Sequence, residues 1–119
     1  MKITITDAEL PVMKVIWEKG ASTAPEIFSN LKGNTNTLKT LLLRLVQKNA
    51  VRVEEINSRR YRYHAMVTEK EYVNNASQSF LQKFFDGSAK KMLLNFVKEE
   101  NISTDDLREL VSMIEEDAQ

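Results

Sequence analysis

The sequence contains no cysteine and a single histidine, His64, among its 119 residues. Structural zinc sites and soft-metal sensors are built from thiolate and imidazole ligands, so the usual ligand sets for both are missing. We therefore expect no metal and no cofactor, and we interpret His64 as an ordinary strand residue. With no cysteine there is also no disulfide framework of the kind that small secreted domains use.

Long apolar runs are missing as well, and no stretch approaches the roughly 18 apolar residues that a membrane span requires. The N-terminus, MKITITDAEL, lacks the apolar core and the small-residue cleavage site of a signal peptide. These features predict a cytoplasmic protein without membrane insertion.

Only three glycines are present, none in a phosphate-binding loop, and no nucleophile, base and orienting group recur at a recognisable spacing. The sequence therefore predicts that the chain is not an enzyme.

Net charge is also zero, but the charges are unevenly distributed. Residues 32–63 carry eight lysines and arginines against two glutamates, a net charge of +6. From Glu99 onward, eight acidic residues face one arginine, a net charge of −7. This asymmetry indicates one region that attracts a polyanion and another that is kept away from it.

The length suits one compact domain, or one domain with a small appendage, and capping boxes divide its first part into helices. Thr6-Asp7-Ala8-Glu9 opens a predicted helix that Gly20 closes, with an irregular first turn because Pro11 lacks a backbone donor. Thr23-Ala24-Pro25-Glu26 opens a second, short helix that Gly33 closes. A tight turn then leads to a third helix, so the pattern predicts a helix-turn-helix.

The third helix is predicted to begin at Asn34 or Thr35 and to end at Asn49, which can take a left-handed conformation. Its buried stripe is Leu38, Leu41, Leu42, Leu45 and Val46. Beyond Asn49 the apolar residues alternate with polar ones, as in a β-strand. Val51 and Val53 precede a predicted turn at Asn57-Ser58, and the residues that follow the turn at alternate positions are Tyr61, Tyr63 and Ala65. Three helices followed by a β-hairpin predict a winged helix over residues 1–68, in which the third helix enters the DNA major groove.

Residues 69–119 are predicted to be helical, and the fold class is mainly α with a small β-hairpin. A box at Thr68-Glu69-Lys70-Glu71 opens a long helix, Ser88 caps another, and Ser103-Thr104-Asp105-Asp106 leads into a last one. Because such a small unit cannot easily bury the apolar faces of all these helices, we expect a homodimer through this region. The alternative is that the helices fold back on the winged helix of the same chain. The predicted dimerisation residues are Phe80, Phe84, Met92, Leu93, Phe96, Leu107, Leu110 and Ile114.

The face of the third helix opposite its leucine stripe holds side chains that can bind bases and phosphates. Its residues are Asn36, Lys39, Thr40, Leu43, Arg44 and Gln47. Leu43 is apolar on a polar face, where it could pack on a thymine methyl or simply be an isolated surface leucine. The rest of the face could be the solvated side of an amphipathic helix, but Arg59 and Arg60, flanking the predicted hairpin turn, favour DNA.

Several segments resemble the penicillinase-repressor family of winged-helix regulators, which includes the BlaI, MecI and copper-responsive CopY branches. The similarity covers nearly the whole chain. Its segments are Asp7-Ala8-Glu9-Leu10, Val12-Met13-Lys14-Val15-Ile16-Trp17, Asn36 to Arg44 with Leu45, Gln47-Lys48, the tyrosine-rich second strand and Leu93-Leu94-Asn95-Phe96.

The resemblance implies a dimeric repressor that binds a palindromic double-stranded DNA operator, with Thr37, Lys39, Thr40 and Arg44 on the DNA-facing helix. It also implies that Asn95-Phe96 matches the bond cut, in antibiotic-responsive members, by a membrane-bound sensor metalloprotease. Phe96 can equally be a dimer-core residue. A winged helix that only binds proteins is the alternative function. The full set of predicted DNA-contacting residues is Asn36, Thr37, Lys39, Thr40, Leu43, Arg44, Lys48, Arg59 and Arg60.

Three departures from the family pattern bear on function. Asn49 stands where a glycine usually follows the recognition helix, which is a tolerable replacement. Leu43 stands where a small polar residue is common, so the operator sequence is not implied. The copper-responsive branch carries cysteines near its C-terminus, and this chain has none, so copper sensing by that route is excluded.

Overall fold

The computed structural model describes residues 3–117, which divide into two units with the boundary between Val73 and Asn74. The elements are α1 (Leu10–Lys19), β1 (Ser22–Thr23), α2 (Ala24–Ser29), α3 (Thr35–Gln47), β2 (Val51–Asn57), β3 (Arg60–Ala65), α4 (Glu69–Phe85), α5 (Ala89–Glu99) and α6 (Thr104–Asp117). The predicted fold class, mainly α with a small β-hairpin in a winged helix, is confirmed. No helix in the described part of the chain is long and apolar enough to cross a bilayer.

The predicted capping box precedes α1 but does not belong to its first turn. The Thr6 backbone N–H donates to Glu9 Oε1 (2.9 Å), and the Glu9 N–H donates to Thr6 Oγ1 (3.2 Å). The helix itself begins only at Leu10, because Pro11 has no N–H to continue the ladder of the preceding turn. The irregular first turn that Pro11 predicts is therefore present.

Helix α2 is shorter than the glycine pattern predicts. Its capping box is formed, with the Glu26 N–H donating to Thr23 Oγ1 (3.4 Å) and the Thr23 N–H donating to Glu26 Oε1 (3.3 Å). The helix ends at Ser29, four residues before Gly33. Ser29 Oγ (2.9 Å) and Asn30 Nδ2 (2.8 Å) both donate to the Glu26 carbonyl, and such side-chain bonds compete with continued helix.

The predicted hairpin is one part of a three-stranded antiparallel sheet with the order β1-β3-β2. Strand β3 is central, and its Tyr63 lies opposite Val53 of β2 and Ser22 of β1. The predicted hairpin of β2 and β3 is confirmed, and β1 adds a third strand that the sequence did not indicate. Strand β1 joins the sheet directly before α2, so it attaches the start of α2 to the wing.

The core of the first unit lies between α1, α2, α3 and the start of β2. The α3 stripe is buried at Leu38, Leu41, Leu42 and Leu45, while Val46 is half-buried. Helix α3 ends at Gln47 with Lys48 as its C-cap, and Asn49, where the sequence predicted the end, has the left-handed φ of 65°. The Asn49 N–H donates to the Val46 carbonyl (3.1 Å) and the Ala50 N–H to the Leu45 carbonyl (2.9 Å), which is a Schellman motif leading into β2.

The second unit contains most of α4 and all of α5 and α6, although α4 begins in the first unit. The caps of all three helices follow the sequence prediction. The Glu71 N–H donates to Thr68 Oγ1 (3.1 Å), the Lys91 N–H to Ser88 Oγ (3.1 Å) and the Asp106 N–H to Ser103 Oγ (3.1 Å). Among residues 74–117, Leu81 is the one large apolar side chain that is buried, with 8% of its surface exposed. Caps and helix propensity, rather than a core of its own, therefore define these helices.

Candidate nucleic-acid interface

Helix α3 presents an exposed, mostly polar face because its four buried leucines occupy the opposite side. The residues of this face are all exposed, and they are Asn36, Thr37, Lys39, Thr40, Leu43, Arg44 and Gln47. Lys39 and Arg44 lie on this face without an ion pair among the described residues. The helix therefore exposes cations and hydrogen-bonding groups along its whole length.

Two local hydrogen bonds organise the start of this face. Asn34 caps the helix by accepting from the Asn36 N–H (2.8 Å), which leaves the Asn36 side chain free at the surface. The Thr40 hydroxyl donates to the Asn36 carbonyl (3.0 Å). With its hydrogen directed to the backbone, the Thr40 oxygen presents acceptor lone pairs, and it can accept from an amino group on a base edge.

Leu43 is 56% exposed in the middle of the polar face. It makes no contribution to the core of the first unit, whose α3 residues lie on the other side. Its methyl groups are flanked by Lys39, Thr40 and Gln47 at helical spacing, so an apolar contact there would be surrounded by polar contacts.

Lys48 differs from the other predicted DNA-contacting residues because its ammonium is directed into its own chain. Lys48 Nζ lies 2.6 Å from Glu9 Oε1 and donates to the Thr4 carbonyl at 2.8 Å. The Glu9 side chain is buried. Burial would raise the pKa of Glu9, but hydrogen bonds from Lys48 and Thr6, together with the charge of Lys48, lower it below the ordinary value. The sequence pattern did not indicate this pair.

The wing tip consists of Ser58 and Arg59, and Arg60 is the first residue of β3. The turn at Ser58-Arg59 thus lies one residue beyond the predicted turn at Asn57-Ser58. The Arg59 N–H donates to Asn57 Oδ1 (3.1 Å), which fixes the turn. Arg59 and Arg60 are both exposed and make no ion pair within residues 3–117. They remain available to phosphates.

A groove of about 390 Å³ separates the wing from the start of α2 and is lined by Thr23, Glu26, Arg59, Arg60 and Tyr61, among others. Hydrogen bonds from Thr23 lower the pKa of Glu26, and the charges of Arg60 and Arg62 lower it further. The carboxylate therefore stays ionised beside the arginines. It offsets part of their charge on this side of the wing.

Glu54 offsets charge on the sheet itself. Its Oε1 lies 3.1 Å from His64 Nε2 and 3.6 Å from Arg62 Nη1. The hydrogen bond with His64 lowers the pKa of Glu54. His64 is thus a strand residue in β3 with a carboxylate partner, and Arg62 is less available to DNA than its place in the basic region suggested. In residues 3–117 no three His, Asp or Glu side chains are grouped so that they could hold a metal ion.

The predicted dimerisation residues lie in α4, α5 and α6. Five of them leave about half of the side chain exposed, and Ile114 leaves 68%. Met92 and Leu107 are half-buried. Within the second unit, Phe80 packs on Phe84 with ring centroids 5.1 Å apart, and Phe85 meets Phe96 edge-on at 6.5 Å. Asn95 and Phe96 lie in the middle of α5, with Asn95 half-buried and Phe96 37% exposed.

A helix-turn-helix joined to a β-hairpin, with a polar helix face beside an arginine-bearing wing, defines a winged helix of the kind used by transcription regulators. A family model described as "Penicillinase repressor" matches residues 5–116. The chain belongs to the penicillinase repressor family, whose members are transcriptional repressors and not enzymes.

Among its relatives, the penicillinase repressor of Bacillus licheniformis is 34% identical over 116 residues, which cover 94% of this chain and 90% of that one. The methicillin resistance regulatory protein MecI of Mammaliicoccus sciuri is 29% identical over 114 residues, 92% of each chain. The solution structure of the DNA binding domain of the repressor BlaI is 36% identical, with a TM-score of 0.54, and covers 60% of this chain and 92% of that one. The B. licheniformis BlaI monomeric form in complex with the blaP half-operator has the same identity and coverage and a TM-score of 0.51.

Proposed function

We propose that this chain is a homodimeric transcriptional repressor that acts in the cytoplasm and binds a palindromic DNA operator, with α3 in the major groove and the wing on the backbone. The observation that carries the proposal is the exposed face of α3. It combines base-reading side chains with cations, on a unit similar to a BlaI domain whose complex with a half-operator is known. Arg59 and Arg60 supply phosphate contacts beside it.

The first experiment measures binding of the full chain to a duplex that it selects from a random-sequence pool, at several salt concentrations. Each phosphate neutralised releases counterions, so we expect the logarithm of the binding constant to fall linearly with the logarithm of salt, with a slope of about −0.9 per phosphate. If no duplex is selected and random DNA binds without salt dependence, the alternative of a winged helix that only binds proteins is correct.

Substitutions separate the roles of the wing and α3. Replacing Arg59 and Arg60 by alanine should weaken binding to the selected duplex and to random DNA alike, because phosphate contacts carry no sequence information. Replacing Lys39 or Thr40 by alanine should instead change the sequence that is selected, because these residues face the bases. If both pairs of variants behaved alike, the assignment of wing and helix would be wrong.

The homodimer forms, in this proposal, through the apolar side chains that α4, α5 and α6 leave exposed. An exposed apolar surface of this extent on a small unit is costly in water, and a second copy would cover it with an isologous contact. Joining two winged helices makes the second half-site contact intramolecular and multiplies affinity by about 10²–10⁴. The helices of residues 69–119 thereby set the spacing of the half-sites.

Ile114→Glu tests the dimer more cleanly than a change at Phe96, because Ile114 is 68% exposed whereas Phe96 packs on Phe85 of the same chain. A buried, unpaired carboxylate should dissociate the dimer in sedimentation experiments and weaken binding to a full palindrome, but not to a half-site. Lys98→Glu, on the polar side of α5, is the matched control. A variant that stays dimeric would place the interface elsewhere.

Release of repression by cleavage at Asn95-Phe96 completes the proposal, with a membrane-bound sensor metalloprotease as the partner. Cleavage there would remove Phe96, Leu107, Leu110 and Ile114 from the chain and so take away half of the proposed dimer surface. The bond lies inside α5, so the helix must open locally before a protease can bind it. Mass spectrometry of the chain recovered from induced cells should show a fragment that ends at Asn95. Intact chain under full induction would refute this step.

A further inference from the structure

Glu9 is the most deeply buried charged residue in the described part of the chain, with 1% of its surface exposed. Two groups donate to its carboxylate: Lys48 Nζ at 2.6 Å and the Thr6 N–H at 2.9 Å. A buried carboxylate requires such partners, because burial without them disfavours the charged form strongly. Lys48 is its single cationic partner among the described residues.

Lys48 occupies the joint between the two elements that the proposed function places on DNA. It is the C-cap of α3, it is followed by Asn49 in the left-handed conformation, and β2 begins at Val51. Its ammonium also donates to the Thr4 carbonyl at 2.8 Å. One side chain therefore ties the α3–β2 joint to the segment that precedes α1.

We infer that Lys48 is a positioning residue, whose ion pair with Glu9 fixes the joint between α3 and the wing and so the placement of both on DNA. This inference rests on the proposed DNA binding and assigns Lys48 a role different from the phosphate contact that its sequence position suggests. If Lys48 turned toward a phosphate, Glu9 would remain buried without a cation, which opposes that rearrangement. Because a buried ion pair adds little net stability on average, the role assigned to this one is geometric.

The two roles predict opposite results for Glu9→Gln. Glutamine keeps the volume of the side chain but loses the charge that holds the Lys48 ammonium. If Lys48 binds a phosphate, releasing it should leave DNA affinity unchanged or increase it. If Lys48 positions the joint, Glu9→Gln should weaken sequence-specific binding in the same direction as Lys48→Met.

The experiment uses the full chain, a duplex that the wild type selects from a random-sequence pool, and a duplex of random sequence. For both variants we expect affinity for the selected duplex to fall about fivefold or more, the scale of losing one base contact, while affinity for random DNA changes less than twofold. The slope of binding against salt should stay unchanged. Arg59→Met is the control for a lost phosphate contact, and it should lower the slope by about 0.9 for each subunit.

A reduced salt slope for Lys48→Met, or unchanged or tighter specific binding by Glu9→Gln, would overturn the inference. Circular dichroism establishes that each variant is folded at the assay temperature. Glu9→Gln, which retains the neutral hydrogen bonds of the site, decides the question by itself if Lys48→Met does not fold. A wild-type chain that selects no duplex would instead refute the proposed function.

Discussion

Replacing Lys48 by methionine should destabilise the first unit at neutral pH. Methionine keeps most of the apolar stem, so the change removes mainly the ammonium that lies 2.6 Å from Glu9. Removing one partner of a buried ion pair costs about 3–5 kcal/mol, and because the Lys48 side chain is 30% exposed, water already screens part of the attraction. We therefore expect a loss of about 2–3 kcal/mol, somewhat below that range because of the screening.

The pH dependence of this loss has a definite sign. In the wild type the pKa of Glu9 is lowered in the folded state, so its contribution is present above the model value of 4.5 and disappears as pH falls through the lower folded value. Without Lys48, burial opposes ionisation and only Thr6 favours it, so the folded variant takes up a proton at higher pH. The difference in stability between wild type and variant should therefore shrink between pH 7 and pH 4.

Trp17 provides the assay because it is the single tryptophan and belongs to the first unit. Its Nε1 donates to the Val67 carbonyl (2.8 Å) and its ring packs on Tyr72 at 5.6 Å. Urea unfolding followed by Trp17 fluorescence, at one protein concentration, gives the difference in stability between wild type and variant at pH 7 and at pH 4. Lys32→Met, at an exposed lysine, is the control and should change stability by less than about 0.5 kcal/mol. An equal loss at pH 7 and pH 4 would refute the role of Glu9.

Three further outcomes follow from the first unit. If Leu43 packs on a thymine methyl, replacing the contacted thymine by uracil should weaken binding by the wild type but not by Leu43→Ala, and equal effects on both would contradict that contact. Leu45→Ala, in the fully buried stripe, should cost about 2–5 kcal/mol in urea unfolding, and a cost below 1 kcal/mol would mean that the core is not packed as described. Asn49→Ala should cost about 1 kcal/mol because alanine resists the φ of 65°, whereas Asn49→Gly should not.

Local patterns in the sequence predicted most of the helices, because each depends on residues three or four positions apart. The boxes at Thr6 and Glu9, at Thr23 and Glu26, and at Thr68 are all formed. The glycine pattern placed the end of α2 too late, because a side-chain hydrogen bond ends the helix earlier. Asn30 ends α2 by donating to the helix backbone, a bond that no periodicity encodes.

Long-range pairs could not be predicted from the sequence. Strand β1 has only two residues, Ser22 and Thr23, so it shows no alternation, and its partner Tyr63 is distant in sequence. The same holds for Glu9 and Lys48, which are 39 positions apart. Charge counting placed Lys48 with the other cations of residues 32–63, although its ammonium faces a buried carboxylate. The sequence thus identified the exposed face of α3, but not which cations are already paired.

Burial differs between the two units, and this difference bears on the release of repression in the proposed dimer. The first unit has its own core, from Ile5 to Val51, so it can keep the α3 face formed whether or not a second chain is bound. The helices of residues 74–117 leave most of their large apolar side chains exposed, so their stability depends on what covers them. In the proposed dimer, a cut within α5 or a charge placed at Ile114 would then separate two intact winged helices rather than unfold them. Each winged helix would retain its contacts to a half-site and lose only the gain in affinity that comes from joining the two copies. Repression would then be controlled through assembly, while the DNA-contacting surface stays unchanged.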